Sequence, residues 1–358
     1  MKHNALLFTL FFYTHFIYSD PLLVAVLMVK NEEPVIETTL QPLVDAGITD
    51  FLIYDTGSTD KTIQVTYDFF IKNKISNFVI KQGEWIDFAT SRNKALELTE
   101  QHFPNATFML MLDAEWILHN GKELLKYCNE QKNNVETLYQ IHIYCLNSKD
   151  EIYDDLALPR LFRCNANIKF IGKVHEIPNL KPQAIIPDQI YLKYNPTQSG
   201  KEKTNQRYFR DLKILLQEVQ DNPQDFRSTF FLAQTYACLR NWNNAIKWYE
   251  HALTMPASSE IFFIILCKLG QIYHFLDNHE KLLFNYIRAC ATCPQRAEPF
   301  VHLAQYFKEQ GAYHLAFLFA QQAVQKPYPS NGEMSIEKQL YDFTRYELYQ
   351  SMLSLNFR

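Results

Sequence analysis

Two acidic side chains, Asp113 and Glu115, stand one residue apart directly after the apolar run Phe108–Leu112. A short apolar run between polar segments is typical of a strand that is buried on both faces. Two like charges at the end of such a strand cost free energy unless a cation or hydrogen-bond donors compensate for them. Divalent metal ions often do so. The pair therefore predicts a site for a divalent metal ion, with an exposed acidic turn as the alternative.

The elements that would position this pair alternate between strand and helix. Leu22–Val29 is apolar throughout, Val35–Ala46 carries apolar residues at helical spacing, and Phe51–Tyr54 is apolar again. This pattern predicts a β-α-β unit with parallel strands. Ligands in such sheets bind at the carboxyl ends of the strands, where the polar turn Asp55–Asp60 follows. Further strands are predicted at 77–81, 138–146 and 158–163, and further helices at 61–73 and 87–98.

After Gly200 the sequence pattern is helical, and three windows share a register of small and aromatic residues. The small positions are Ala233, Gly270 and Ala304, and the last two are 34 residues apart, which is the tetratricopeptide period. Small residues let the two helices of a repeat approach each other, while aromatic residues fill the space between repeats. The pattern predicts three helical repeats, and a generic helical bundle is the alternative.

Five motifs together resemble family 2 glycosyltransferases of the GT-A fold, in the branch with C-terminal tetratricopeptide repeats. The resemblance covers residues 22–325, and its motifs are Val29–Glu33, Asp55–Thr62, Phe88–Asn93, Leu112–Glu115 and Val174–Glu176. It implies an α/β GT-A domain, a Rossmann-like nucleotide-diphospho-sugar transferase fold, followed by an all-α tetratricopeptide-like domain. It also implies transfer of a sugar from a nucleotide donor, usually a UDP-sugar, to an acceptor with inversion, assisted by Mn²⁺ or Mg²⁺.

The sequence pattern divides the chain into four parts. Residues 1–20 are expected to be a signal peptide or signal anchor, because the apolar segment after Met1 is too short to span a bilayer comfortably. Residues 21–200 would form the transferase domain, 201–330 the repeats and 331–358 a helical tail. The leader favours the secretory pathway, export or membrane association, and a cytoplasmic location follows if it is not a signal.

The resemblance also implies which residues bind the nucleotide sugar: Asn31, Glu32, Asp55, Arg92 and Asp113. Asp55 matches the family aspartate that accepts a hydrogen bond from the uracil ring. The alternatives are ordinary structural roles. Glu32 would favour the start of a helix electrostatically, and Arg92 would form a surface salt bridge with Glu84 or Asp87.

The resemblance also implies which residues bind the metal ion and which residue is the catalytic base. Asp113 and Glu115 stand at the position of the family's Asp-x-Asp element, with His175 as a further candidate metal or phosphate contact. Glu176 is the candidate catalytic base, since an inverting displacement requires a group that accepts the proton of the attacking hydroxyl. A plain pair at a strand end is the alternative for His175 and Glu176. A basic cluster at 201–213 either meets the diphosphate or forms a solvated helix face.

One departure from the family pattern leaves a second function open. Relatives usually read Leu-Asp-Ala-Asp-Glu, whereas here Ala114 is followed by Glu115 and Trp116. The longer side chain keeps the charge but changes the geometry, so the alternative is a decayed transferase domain whose repeats act as a scaffold. A nucleotidyltransferase of the same fold is a third reading.

Composition limits the partners. The chain has 358 residues and a formal net charge of −4, so it lacks the global basic field that nucleic-acid binding needs. The expected partners are a nucleotide-sugar donor, a glycan, lipid or polypeptide acceptor, and a protein partner on the repeats.

Overall fold

The computed structural model describes residues 20–147, 151–194, 198–329 and 336–356. The expected leader therefore lies outside the described residues, except for residue 20. Within the described ranges no helix is both long and apolar enough to cross a membrane.

The first half of the chain folds as strands and helices in alternation. Its helices are α1 Ile36–Ala46, α2 Thr62–Lys72, α3 Phe88–His102 and α4 Gly121–Gln131. Its strands are β1 Leu23–Val29, β2 Asp50–Asp55, β3 Asn77–Gln82, β4 Phe108–Asp113, β5 Trp116–His119, β6 Leu138–Leu146, β7 Ile152–Arg163, β8 Phe170–Ile171, β9 Ile177–Pro178, β10 Ala184–Ile185 and β11 Tyr191–Tyr194. The predicted strands and helices up to β4 are confirmed, although α3 continues four residues beyond the predicted end at Leu98.

The main sheet has the order β3-β2-β1-β4-β7-β6-β11-β5, with β10 beside β6. Strands β3, β2, β1 and β4 are parallel, and β7 joins β4 in the antiparallel direction. Register places Asp55 beside Val29 and Asp113 beside Met28. The two aspartates therefore flank the carboxyl end of β1 on either side, at the edge predicted for a ligand.

The core lies on both faces of the parallel strands. On one face, Leu27 of β1 packs in a cluster with Ile36 and Leu40 of α1. On the other face, Val26 packs in a cluster with Ala95 of α3. Alternate residues of β1 belong to the two clusters, so both faces of the strand are buried. Its sequence is therefore apolar throughout and does not alternate between apolar and polar residues.

The predicted strand at 138–146 is confirmed as β6, but the sequence did not predict β11 and β5, which extend the sheet beyond it. Strand β11 runs parallel to β6 and antiparallel to β5, and β7 begins at Ile152, six residues before the predicted strand. Both strands β5 and β11 are four residues long. A period of two is hard to recognise over so few residues.

The second half of the described chain is helical. Helix α5 Gln198–Asp221 crosses the expected domain boundary, and three antiparallel helix pairs follow it. The remaining helices are α6 Phe226–Cys238, α7 Trp242–Ala252, α8 Ser259–Phe275, α9 His279–Thr292, α10 Glu298–Glu309, α11 Tyr313–Val324, a π-helical turn Leu340–Thr344 and α12 Arg345–Asn356. The small residues Ala233, Gly270 and Ala304 are buried within these pairs, as the repeat pattern predicts. The expected tail is helical from Leu340 to Asn356.

Candidate active site

A buried arginine joins the two most distant motifs of the sequence. The Arg92 Nε–H donates to Glu176 Oε1 over 2.5 Å, and an Nη2–H of the same guanidinium donates to Asp113 Oδ1 over 2.8 Å. The Arg92 side chain is only 4% exposed, and the Glu176 side chain is 9% exposed. The alternative of a surface salt bridge to Glu84 or Asp87 is therefore wrong. The carboxylate of Asp87 instead caps α3 by accepting from Thr90 N–H.

Local structure explains how these groups meet. Arg92 lies in the second turn of α3, and Asp113 ends β4. The neighbouring Asn93 exchanges two hydrogen bonds with the backbone of Phe170, at 2.7 and 2.9 Å. These bonds fix the segment that carries Glu176 against α3. The arginine guanidinium also lies 5.7 Å from the centre of the Phe170 ring.

The charges in this group stabilise one another. Burial alone would raise the pKa of Asp113, but the positive charges of Arg92 and Arg160 hold it below its usual value. Burial alone would lower the pKa of Arg92, but Asp113 and Glu176 raise it above its usual value. The Asp113 side chain is still 37% exposed. This carboxylate is consequently charged and open to a ligand.

A second buried arginine, Arg160, was missed by the sequence reasoning. Its guanidinium lies 4.9 Å from the centre of the Trp116 ring, and its Nη1 donates to Pro159 O over 3.1 Å. Burial and the nearby charge of Arg92 lower the pKa of Arg160 to about 10. A signal was present, because Arg160 interrupts the apolar residues Leu158, Leu161 and Phe162 of the predicted strand.

Two guanidinium nitrogens at this place, Arg92 Nη1 and Arg160 Nε, are buried and have no partner among the described residues. Buried donors are normally satisfied, so unpaired ones usually mark the position of a water molecule or a ligand. Two guanidinium groups with free N–H groups suit an oxyanion such as a phosphate.

Two loops at the carboxyl ends of β1 and β2 are bonded to each other. Asn31 N–H donates to Ser58 Oγ over 2.8 Å, and Thr59 N–H donates to Asn31 Oδ1 over 2.7 Å. Glu32 N–H donates to Thr62 Oγ1 over 2.7 Å. Both predicted nucleotide contacts, Asn31 and Glu32, therefore have a structural role in this loop pair. Their contact with a nucleotide stays a prediction.

Asp55 is fully buried at the base of the same loops. Its carboxylate accepts from the backbone N–H groups of Gly57 and Ser58 and from the Ser58 hydroxyl. Asp60 separately accepts from Thr62 N–H at the start of α2, over 3.0 Å. Asp55 thus shapes the loop, as its position after a strand allows. Its recognition of a uracil ring also stays a prediction.

His175 lies on the side of the site that faces the helical half. Its ring stacks on Phe231 of α6 with ring centres 4.1 Å apart, and its backbone oxygen accepts from Arg227. Although the residue as a whole is exposed, desolvation of the ring where it stacks on Phe231 lowers the pKa of His175, and the charges of Arg207 and Arg227 add to this effect. The imidazole is therefore neutral at physiological pH, the form in which histidine binds metals.

Helix α5 brings further positive charge to the site. Burial raises the pKa of Asp211, whose carboxylate pairs with Arg210 over 3.4 Å and with Arg207 over 3.8 Å. The Arg210 guanidinium lies 4.1 Å from the Trp85 ring centre. Arg207 acts on the charges of both Asp113 and His175. In the cluster at 201–213, the lysines at 201 and 203 lie outside the described side chains.

The metal candidates are not gathered into one cage. Across the described ranges, no group of three or more histidine, cysteine, aspartate or glutamate side chains lies close enough to hold a metal ion. Asp113 and Glu115 flank the buried Ala114 and are both partly exposed. Their oxygens are of the type that Mg²⁺ and Mn²⁺ prefer. A metal held there would need oxygen ligands from a bound phosphate and from water.

The chain is distantly similar to a curated glycosyltransferase. It is 25% identical over 251 residues to the SPbeta prophage-derived glycosyltransferase SunS of Bacillus subtilis strain 168, and equally to glycosyltransferase SunS of Bacillus phage SPbeta. This similarity supports a glycosyltransferase. The match covers 65% of this chain and 53% of each relative, so the chain spans about half the length of the curated relatives it matches. No family model matches the chain.

Two solved structures that resemble this chain align with less than half of it. A crystal structure of MamA is 15% identical with a TM-score of 0.32, and it covers 45% of this chain and 95% of its own. The crystal structure of the APC/C hetero-tetramer Cut9-Hcn1 is 12% identical with a TM-score of 0.33, and it covers 39% of this chain and 26% of its own. Scores of this size do not assign a fold.

Proposed function

We propose that this chain is an inverting glycosyltransferase that moves a sugar from a UDP-sugar donor to an acceptor hydroxyl or similar group. The observation that carries the proposal is the cluster at the carboxyl ends of β1 and β4. There Arg92 pairs with Asp113 and Glu176, and buried N–H groups of Arg92 and Arg160 are left for an anion. A diphosphate is an anion of the size and charge that two guanidinium groups can hold.

The fold supports the same proposal. We assign the first half of the chain to the GT-A fold, because four parallel strands in the order β3-β2-β1-β4 are followed by the antiparallel β7. We assign α6 to α11 to tetratricopeptide repeats. Each of the three pairs carries a buried small residue at the equivalent position, and the spacing from Gly270 to Ala304 equals the repeat period.

In the reaction, the acceptor oxygen attacks the anomeric carbon while the bond from that carbon to the diphosphate oxygen breaks. Glu176 is the proposed base. Its Oε1 accepts from Arg92, so the other oxygen of the carboxylate would take the acceptor proton. Arg92 and Arg160 would stabilise the negative charge that develops on the leaving diphosphate. Because these groups are held by α3 and β7, little reorganisation is needed during the reaction.

A divalent ion, Mg²⁺ or Mn²⁺, would be held by Asp113 and Glu115 and would add charge neutralisation at the diphosphate. Asp113 is suited to this role because its pKa is low and its side chain is partly exposed while Arg92 fixes one oxygen. His175 would be a phosphate or metal contact, on the side of the site that faces α6.

A scaffold without activity is the second candidate, favoured by Glu115 in place of the usual aspartate. One experiment separates the two functions. Purified protein is incubated with a panel of nucleotide sugars and Mn²⁺, and release of the nucleoside diphosphate and the shift of the melting temperature are measured. A transferase releases nucleotide from one donor class and loses that release in Asp113→Asn, whereas Asp45→Asn, an exposed aspartate on α1, leaves it intact. Absence of any response to every donor overturns the proposal.

A further inference from the structure

The candidate base Glu176 is carried by a very short β-hairpin. Strands β8 and β9 have two residues each and form a separate two-stranded sheet. The hairpin loop, residues 172–176, joins them, and Glu176 is its last residue. A two-stranded hairpin is marginally stable at best when it is isolated. The position of Glu176 therefore depends on the elements that hold the hairpin loop.

The backbone of the hairpin loop includes two residues in the left-handed region. Gly172 has a φ of 89°, and His175 has a φ of 52°. Such angles suit glycine, but they cost free energy in a residue with a Cβ atom, such as histidine. A residue keeps this conformation where its surroundings hold it there. The surroundings of His175 must therefore stabilise the loop.

Arg227, in the first turn of α6, binds the backbone of the hairpin loop. Its Nη2 donates to Val174 O over 2.6 Å and also to His175 O. These oxygens belong to the peptide groups before and after the His175 Cα, so the two bonds fix its left-handed conformation. Hydrogen bonds from a charged donor are stronger than those between neutral groups. Gly172 leaves room for the guanidinium, because a Cβ atom there would lie 2.6 Å from Arg227 Cζ.

Two side chains of the hairpin loop also pack against the helical half. The His175 ring centre lies 4.1 Å from that of Phe231, and the Arg227 guanidinium lies 5.1 Å from the same Phe231 ring. Val174 is only 1% exposed. It packs with apolar residues of α5 and α6, which are Leu215, Val219 and Leu232. Helices α5 and α6 thus hold the loop by its backbone and by the two side chains that precede Glu176.

Helix α5 also contacts the segment that leads to Arg92, the partner of Glu176. The Arg210 guanidinium lies 4.1 Å from the centre of the Trp85 ring and 5.2 Å from that of Phe88. Phe88 is the first residue of α3, which carries Arg92 one turn later. Both members of the Arg92–Glu176 pair are therefore supported by the same two helices.

We propose that Arg227 is a positioning residue for Glu176, and that helices α5 and α6 complete the active site. Arg227 acts through the backbone of the hairpin loop and not on the sugar donor. The inference rests on the proposed function, because Glu176 is the base of the proposed reaction. It goes beyond that function by making the chemistry of the first half of the chain depend on a side chain of the helical half.

The first measurement is the rate of nucleotide release from saturating donor by the full chain. Arg227→Gln should lower kcat roughly tenfold, because a misplaced group loses catalytic efficiency while Arg92 still holds Glu176. The affinity for UDP by isothermal titration calorimetry should be unchanged, since Arg92 and Arg160 are the proposed diphosphate contacts. Arg227→Lys keeps a charged donor and should recover part of the rate. In a Glu176→Gln background, Arg227→Gln should cause no further loss of kcat, because it acts through Glu176.

The second measurement needs no activity. Hydrogen exchange of the segment 170–178 should be roughly tenfold faster in Arg227→Gln than in the unmodified chain, because two hydrogen bonds that hold the loop are lost. The matched control is Arg345→Gln in α12. Arg345 is also buried, and its Nε donates to Tyr341 O over 2.6 Å. The control should lower the melting temperature but leave kcat and the exchange of 170–178 as they are.

The two proposals fail in different ways. An unmodified chain that releases no nucleotide from any donor contradicts the proposed function. An active chain in which Arg227→Gln keeps its kcat, or in which Arg227→Gln and Glu176→Gln lower kcat independently, refutes the positioning role. Unchanged exchange of 170–178 refutes it whether or not the chain is active. If Arg227→Gln does not fold, Phe231→Leu removes the ring beneath His175 and should give the same pattern.

Discussion

Arg92 and Glu176 lie 84 residues apart in the sequence and are joined by a 2.5 Å hydrogen bond between Nε and Oε1. The same guanidinium bonds Asp113, so a single cation organises the candidate base and the candidate metal ligand. This arrangement makes the orientation of both carboxylates depend on one buried side chain. Through these two bonds Arg92 also holds together α3, β4 and the segment before β9, which surround the site.

Replacing Arg92 by glutamine tests this dependence. The change leaves Glu176 buried without a cation, and breaking a buried ion pair in this way costs about 3 kcal/mol. We therefore expect a lower melting temperature in thermal unfolding. The double variant Arg92→Gln and Glu176→Gln should recover part of the loss. Arg288→Gln, an exposed arginine on α9, is the control, and an equal effect of the two arginine variants would contradict a special role for Arg92.

Arg160 should matter for nucleotide affinity in a way that a neighbouring arginine does not. In Arg160→Lys the charge remains, but the planar guanidinium and its free N–H groups are lost. We expect UDP to bind about tenfold more weakly by isothermal titration calorimetry. Arg163→Lys is the matched control, because Arg163 donates to the backbone oxygens of Glu136, Lys132 and Gln131. If both variants bind UDP like the unmodified chain, the anion site is wrongly placed.

The sequence predicted which segments are strands and helices better than it predicted which side chains meet. Apolar runs such as Phe108–Leu112 report burial locally, so β4 and the polar residues at its end could be predicted. The ion-pair partner Glu176 could not be predicted, because it lies 84 residues from Arg92 in the sequence. Its position depends on the hydrogen bond between Phe170 and α3, which no local pattern reports. Arg160 was missed for a similar reason, because its neighbour Trp116 belongs to a strand that the pattern did not indicate.

Gly270 should be intolerant of a methyl group, although its repeat equivalents are alanines. A Cβ at this position would lie 2.7 Å from the Tyr286 ring, which is only 3% exposed. Alanine favours helix formation by about 1 kcal/mol, but overpacking a core costs about 1–3 kcal/mol. We expect Gly270→Ala to lower the midpoint of urea unfolding. Adding Tyr286→Leu should remove the clash, and a stabilised Gly270→Ala single variant would contradict this packing.

His142 should make the stability of the chain depend on pH. The hydrogen bond that His142 Nδ1–H donates to Asp155 Oδ1, at 2.8 Å, raises the pKa of His142 above its usual value, and burial opposes the rise only in part. The folded state therefore binds the proton more tightly than the unfolded state. This stabilisation is complete below the unfolded pKa of about 6.5 and is lost as the pH rises through the folded pKa.

The corresponding measurement compares melting temperatures of the unmodified chain and His142→Gln across this range. We expect the difference between them to be larger at about pH 5.5 than at about pH 8.5. His279→Gln is the control, because His279 pairs with the exposed Asp277 at 3.4 Å and is itself 48% exposed. A difference that stays constant over the whole range would show that His142 contributes no proton-linked stability.

The role of Glu115 can be tested separately from that of Asp113, because Glu115 is the residue at which this sequence departs from the motif that it resembles. If its carboxylate binds a metal, Glu115→Asp keeps the charge and the ligand type, and metal-dependent nucleotide release should persist. Glu115→Gln removes the charge. The Mn²⁺ concentration needed for half-maximal nucleotide release should then rise about a hundredfold, because metal binding supplies several kcal/mol of charge stabilisation. The readout is nucleotide release against Mn²⁺ concentration, with Glu123→Gln on α4, an exposed carboxylate, as the control. Equal Mn²⁺ dependence in the unmodified chain and in Glu115→Gln would remove Glu115 from the metal site and leave Asp113 as its proposed carboxylate ligand.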